Sequence, residues 1–559
     1  MLVMCFEAER ISRATMWKIC VVVGFIASSF AVAKPTISKE PPVWPKAYTV
    51  TGVLYLPYAE IKEPFQAWYD AGNKRSRIDY YGGMDSTYQR GDVLSYGSSY
   101  RICPETTETY KNVRKCFQTN GTTAGPVVQQ SVLPDLSKFT FMGNTTYGDV
   151  SCLAWEYIMY EGHKKNKYTM HVSMDDTLTP IHYEMLGFDS LLGSHYDKYE
   201  IVYADYSAET PSPNVFEIPE GMVCTGFPGP GDEATIIANP MQEFIEPEGR
   251  NIMHSVFDNF LKNHPKDYAD KQEYHHRRET FRQNLRFIHS KNRQHAGFYL
   301  AMNHLGDRTD KELKVLRGRR TSKGYNGGLP YKPDLSKLKD VPDHIDWNIR
   351  GAVTPVKDQA VCGSCWSFGS TGAIEGALFM KTKNLTRLSQ QNLMDCTWGY
   401  GNNGCDGGEE FRSYQWVIKH KGIATEESYG QYLAQDGYCH FESAKVGAQI
   451  TGYVNVTSGD LNALKLAIAQ QGPVAVGIDA SHRSFSFYSY GVYYDPKCGN
   501  TPADLDHAVL AVGYGTMDGK PYWLIKNSWS THWGNNGYVL MSQKDNNCGV
   551  ATDATFVIM

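Results

Sequence analysis

Three patterns of apolar and polar positions succeed one another along this chain. Between residues 34 and 226, segments such as Tyr48–Leu56, Ser76–Tyr81, Tyr168–Met174, Pro180–Leu186 and Tyr199–Tyr206 alternate apolar or aromatic with polar side chains. Clusters of Gly, Asn, Asp and Ser separate them. A side-chain period of two with turn chemistry between the runs predicts an antiparallel β domain with one face buried. Its many tyrosines either build that core or line a cleft for a lipid or peptide. Residues 227–250 then take on the Pro, Gly and acidic composition of a linker. Beyond it the period changes. Glu273, Arg277, Phe281, Asn284, Ile288 and Asn292 fall at steps of four, four, three, four and four, which puts ionic, apolar and amide side chains on one face of a helix. From about residue 341 the patterns mix: Trp366–Met380 reads as a buried helix, and Val474–Ile478, His507–Val512 and Tyr522–Lys526 read as strands.

Length and composition limit what this organisation can be. A chain of 559 residues exceeds a single core, and about 150 residues per domain suggests three or four. A formal charge of -5 without a long basic run argues against a nucleic-acid partner. Met16-Trp17-Lys18, an apolar run and Ala31-Val32-Ala33 read as a secretory signal over 1–33, with Met16 as the working start. No later apolar run is long enough for a transmembrane anchor. Entry into the secretory path makes glycans and disulfides expected, with acceptor sequons at Asn120, Asn144, Asn384 and Asn455. Of thirteen cysteines, Cys5 and Cys20 leave with the signal. Cys103, Cys116, Cys152 and Cys224 allow three connectivities, and the C-terminal region holds an odd seven.

The chemistry concentrates at Gln359 to Phe368. Gly363 and Ser364 suit a tight turn into a helix entered at Cys365, so the sulfur lies at the positive end of a helix dipole, where a thiolate is favoured. Gln359 can offer an N–H to a developing oxyanion. Cys362-Gly363-Ser364-Cys365 is also a CxxC, open to reading as a redox pair or half a zinc site, but no second CxxC completes a metal site. His507 in Leu505-Asp506-His507-Ala508 and Asn527 in Asn527-Ser528-Trp529 supply a base and its orienting amide further along the chain.

These motifs, with Gly404-Cys405-Asp406-Gly407-Gly408, make residues 341–559 resemble the papain-family cysteine peptidases of cathepsin L type. The resemblance implies an α+β two-lobed catalytic domain with Cys365 as nucleophile, His507 as general base and then acid, Asn527 orienting it, Gln359 in the oxyanion hole, and Trp529 shielding the Asn527–His507 bond. It implies disulfides Cys362–Cys405, Cys396–Cys439 and Cys498–Cys548, leaving Cys365 free, and an endopeptidase with no cofactor and no metal. The stripe from Glu273 to Asn292 matches the α-helical inhibitory propeptide of the same family, placed at 251–316. Its companion segment Ala301-Met302-Asn303-His304-Leu305-Gly306-Asp307 departs at Ala301 and Leu305, where the family has Gly and Phe. Residues 317–340, basic and Gly-rich, read as an exposed processing linker cut between Arg317 and Val341.

Where cathepsin L-like enzymes carry apolar residues after Gly407 and Gly408, this chain has Glu409 and Glu410. The resemblance aligns Asp553 with the base of the second substrate pocket and Gly477 with its wall, with Leu505 and Asp506 among the substrate-binding residues, so Arg or Lys is expected at P2 beside apolar residues admitted by Leu505. The opposing reading points both glutamates into water. The N-terminal strands resemble the half-barrels of lipoprotein carriers and ependymin-like proteins. The whole chain resembles the two-chain haemocyte cathepsin-type proteinases of insects, which implies that residues 34–226 stay as a companion subunit. Substrates would be proteins or peptides, met in lysosome-like granules or outside the cell. The alternative is a binding protein whose N-terminal domain recognises a lipid, glycan or microbial surface.

Overall fold

Alternating positions in the first third of the chain become a long antiparallel sheet. In the computed structural model, which describes residues 40–105, 112–175, 177–227, 232–246 and 252–559, this sheet begins with β1 (Ala47–Leu56), β2 (Ile61–Asp70), β3 (Arg75–Tyr80), β4 (Asp85–Arg90), β5 (Ser98–Glu105) and β6 (Val113–Asn120). It continues with β7 (Thr140–Tyr147), β8 (Val150–Glu161), β9 (Lys164–Ser173), β10 (Pro180–Asp189), β11 (Ser194–Ser207) and β12 (Cys224–Gly226). The order β12-β6-β5-β4-β3-β2-β1-β11-β10-β9-β8-β7 joins two meanders where β1 pairs with β11. The short β12 runs parallel to β6, and the disulfide Cys116–Cys224 fixes that end. The signal expected over 1–33 lies outside the described residues.

The aromatic face of this sheet is filled by the chain itself. Tyr203 donates to the Val132 carbonyl at 2.8 Å, and Tyr199 donates to the Phe244 carbonyl at 2.9 Å with its ring against Phe244. Val132, Leu133, Leu136, Met241, Phe244 and Ile245 share one core with Tyr48, Tyr168, Tyr183 and Tyr199. Residues 232–246, within the stretch 227–250 expected as a linker, therefore differ from that expectation. They include α1 (Asp232–Ala238) and α2 (Gln242–Ile245), neither of which contains Pro or Gly, and the burial of Met241, Phe244 and Ile245 holds the segment on the sheet.

After α3 (Ile252–Asn263), the helix α4 (Lys271–Arg293) starts at Asp270, whose carboxylate accepts the Glu273 N–H. One face carries the expected stripe. Arg277 pairs with Glu273 and Glu312, Phe281 packs on Phe257 and Phe260, Asn284 donates to the Gly306 carbonyl, and Asn292 brackets Leu300. A second stripe faces the N-terminal sheet. Glu279 meets Lys164 at 2.7 Å, Gln283 and Arg286 reach Asp197 at 3.0 and 2.7 Å, Ser290 bonds Glu63, and Arg293 meets Glu63 at 2.9 Å. These charges are buried and paired, the condition under which buried charge is tolerated.

The chain then adds β13 (Phe298–Leu300) beside strand Tyr488–Tyr493 at one edge of the C-terminal sheet, and Leu329–Pro330 beside strand Gly452–Asn455 at the other. The propeptide region thus straddles the sheet on which the site is built. Among the described residues no helix is long and apolar enough to cross a membrane.

Candidate active site

After α5 (Asp310–Val315), which a Thr309–Glu312 capping box starts, the helix α6 (Cys365–Thr382) begins at the thiol itself. The turn before it needs glycine: a Cβ on Gly363 would stand 2.5 Å from the Cys405 carbonyl that accepts the Gly363 N–H. Disulfides Cys362–Cys405, Cys396–Cys439 and Cys498–Cys548 brace the surroundings, and Cys365 is unpaired.

His507 opens strand His507–Met517, and the partner strand Lys520–Lys526 runs back against it, which returns Asn527 to the imidazole. Asn527 Oδ1 lies 2.8 Å from His507 Nε2 and also accepts the Ser528 backbone N–H at 2.8 Å. An oxygen already accepting from a backbone donor makes Nε2 the protonated nitrogen, so buried Nδ1, which makes no hydrogen bond, carries the free lone pair. Trp529, buried, packs 4.8 Å from the ring and keeps water from that bond. Ala508 donates its N–H to the Cys365 sulfur at 3.5 Å. Gln359 is oriented by Ser528, whose hydroxyl donates to Oε1 at 2.7 Å, leaving Nε2 to donate to the Leu316 carbonyl at 2.8 Å. Nothing in the sequence pattern singled out Ser528 for this task.

Residues 316–320 lie in the cleft. Gly408 N–H donates to the Gly318 carbonyl and Arg320 N–H to the Gly408 carbonyl, both at 2.9 Å, and the strand runs parallel at Gly408. A Cβ on Gly318 would fall 1.8 Å from the Gly363 carbonyl, so only glycine passes over the thiol. Arg319, 3 % exposed in its side chain, reaches Glu410 at 3.3 Å and bonds Asp553, and a Cβ on Gly477 would stand 2.7 Å from its Nε. Arg317 pairs with Asp506 at 2.7 Å. Leu505 is buried nearby, against Gly549. Glu409 turns elsewhere, accepting from Ser322 N–H and from Arg412 at 2.7 and 2.8 Å. Three expectations change here, the first being the place of Glu409 in the second substrate pocket. The exposed part of the basic linker starts at Arg320, because the acidic pocket buries Arg319. Asn120, Asn144 and Asn384 are exposed, but Asn455 is half-buried and donates to Asn326 at 2.7 Å, so a glycan there would unseat that segment.

Electrostatics differ from the expected thiolate as well. Burial pushes the Cys365 thiol up to about 12 and His507 down to about 4, so the covered pair is neutral. His304, among Lys266, His532, His264 and Arg308, is pushed by burial down to about 3, and His264 is lowered too, with Asp307 facing it. The closed form thus holds these imidazoles neutral, whereas freed ones titrate near their ordinary value of about 6.5. Opening binds protons, and closure loses stability as pH falls from about 6.5 toward these lowered values. Asp506 opposes this: burial raises it to about 6, and protonation relieves it while closed. Burial raises Glu410 as well, which opposes release in the same way, but the drops at His304 and His507 exceed the rise at Asp506, so acid favours release. His304→Gln is expected to remove about tenfold of the acid acceleration at pH 5.5, read as initial processing rate against pH.

The fold and site define a thiol protease precursor closed by its own propeptide. A model described as papain family cysteine protease matches residues 341–558, and one described as cathepsin propeptide inhibitor domain (I29) matches 257–313. Digestive cysteine proteinase 2 of Homarus americanus is 43% identical over 311 residues, covering 54% of this chain and 94% of its own. A cathepsin L-like peptidase of Aedes aegypti is 45% identical over 313 residues, covering 54% and 91%. Digestive procathepsin L 3 of Tenebrio molitor matches in structure with a TM-score of 0.50 and 38% identity, covering 56% of this chain and 100% of that one. The chain belongs to the papain family of cysteine proteases and is a cathepsin L-like zymogen. Neither family model reaches the residues before 257.

Proposed function

We propose that the chain is an endopeptidase in which Cys365 attacks the scissile carbonyl, His507 takes and returns the proton, Asn527 orients it, and Gln359 with the Cys365 N–H binds the oxyanion. The observation that carries this reading is that Gln359 Nε2 donates to a backbone carbonyl of the covering segment, that of Leu316, as it would to a substrate carbonyl. Attack gives a tetrahedral intermediate, the amine leaves with the proton from His507, and water hydrolyses the thioester. Removing the propeptide restores solvent to the pair and lets the thiolate and imidazolium form.

The pocket of Glu410, Asp553 and Gly477 takes Arg or Lys at P2, as Arg319 supports. Gly407, Gly408, Leu505 and Asp506 frame the cleft around it. With mature enzyme, a P2-varied peptide library is expected to rank Arg with Leu and Phe, and Asp553→Asn to lower kcat/KM for P2 Arg about tenfold while sparing P2 Leu. Acceptance of Leu and Phe alone would remove the acidic pocket.

In this reading the chain divides into a signal at 1–33, a β domain at 34–226, a connecting segment at 227–250, a propeptide at 251–316, a processed stretch at 317–340 and the enzyme at 341–559. The signal and sequons direct it into the secretory pathway, to lysosome-like granules or outside the cell. The β domain stays with the enzyme as a companion only while α4 and β13 stay, because its direct contacts are few. Among them are Arg483 to the Tyr58 carbonyl at 3.1 Å and to Glu60 at 3.7 Å, with the Glu105 charge acting on Tyr490. Gel filtration after acid processing tests this: co-elution of the β domain with an enzyme lacking 251–316 would contradict it.

A further inference from the structure

Outside the cleft, one cluster combines three side chains that no part of the protease chemistry uses. Asp85 and Cys103 lie side by side on β4 and β5, the next pair along a ladder that sets Ser86 opposite Ile102. His295 reaches them from the end of α4. Its backbone is left-handed, with φ of 48°, a conformation usually left to Gly or Asn after a helix. Both of its ring nitrogens are buried without a hydrogen bond. Asp85 is fully buried, and Cys103, 4 % exposed, is a free thiol. One donor atom from each, sulfur, imidazole nitrogen and carboxylate oxygen, lies within 4.8 Å of the other two.

We propose that Asp85, Cys103 and His295 bind a divalent cation of the zinc class, joining the N-terminal sheet to the propeptide helix. Thiolate, imidazole and carboxylate form the donor set such an ion takes, at about 2.3 Å to sulfur and about 2.0–2.2 Å to nitrogen or oxygen. Donors on one tetrahedral ion stand roughly 3.3–3.7 Å apart, so no edge has to close by more than about 1.5 Å through side-chain rotation. Arg101, donating to Asp85 Oδ2 at 2.5 and 2.9 Å and to Oδ1 at 3.1 Å, serves as the outer partner that orients a ligating carboxylate and balances charge. The carboxylate has about four lone-pair positions, so that contact leaves room for the ion. The sequence offers no contiguous metal motif because the donors come from three distant positions.

The test uses the full-length precursor carrying Cys365→Ser, which removes the catalytic thiol as a competing ligand. Titration with cobalt(II) is expected to raise a thiolate-to-cobalt charge-transfer band that saturates at one ion per chain and is bleached by zinc. Cys103→Ser abolishes the band, Cys152→Ser leaves it, and His295→Ala weakens binding by at least about tenfold. A parent precursor without the band, a band that survives Cys103→Ser, or one lost in Cys152→Ser overturns the proposal. If Cys103→Ser does not fold, the parent and His295→Ala decide, since the His295 ring makes no hydrogen bond whose loss would unfold the chain.

Discussion

Cys365→Ser is expected to lower peptide hydrolysis by at least about 10⁴-fold and to leave the precursor at full length in acid with added thiol. A serine hydroxyl beside His507 remains protonated at any pH the protein survives, so the geometry is kept and the nucleophile is lost. Gels and a fluorogenic peptide with Arg at P2 read both effects. Processing of the variant at the wild-type rate in purified form would mean that a contaminating protease, not this thiol, opens the chain.

Arg319→Ala is expected to open the cleft without any cut. The guanidinium is buried between Glu410 and Asp553, and burial raises the Glu410 pKa even with that cation beside it. Removing one partner of a buried ion pair costs about 3–5 kcal/mol, and protonation of Glu410 returns part of it. About 3 kcal/mol remains, or roughly a hundredfold in the closed-to-open ratio. The intact Arg319→Ala precursor then hydrolyses a small peptide at neutral pH, whereas the wild-type precursor is silent. Arg319→Lys should fall between, since an ammonium lacks the fork that reaches both carboxylates. A silent Arg319→Ala precursor would show that closure rests on residues other than this pocket.

Much of this arrangement was legible because its signals are local. The period of two over Tyr48–Leu56 and Tyr199–Tyr206 corresponds to β1 and β11, and the reading of a helix at Trp366–Met380 falls inside α6. Cys365, His507, Asn527 and Gln359 were nameable because each sits in its own short motif, and the structure brings them into one hydrogen-bonded neighbourhood through Ser528 and Ala508. What was not legible depends on distant partners. Glu279, Gln283, Arg286, Ser290 and Arg293 also keep one helix face, but a polar stripe reads as solvated until Lys164, Asp197 and Glu63 are known to face it. Met241, Phe244 and Ile245 were hidden among prolines and glycines. Arg319 was legible in principle, as a cation between acidic residues of the same chain, but which carboxylates it meets is a matter of tertiary folding.

The tie of α4 to the N-terminal sheet on one face and, through β13, to the catalytic sheet has a kinetic consequence. While the chain is uncut, inhibitor and enzyme see each other at an effective concentration in the millimolar range, whatever the dilution. A single cut in the exposed stretch after Arg320 breaks no contact of α4 or β13, yet it makes their rebinding bimolecular. Activation would then become a question of volume: cut molecules stay silenced where they are crowded and become active where they are diluted.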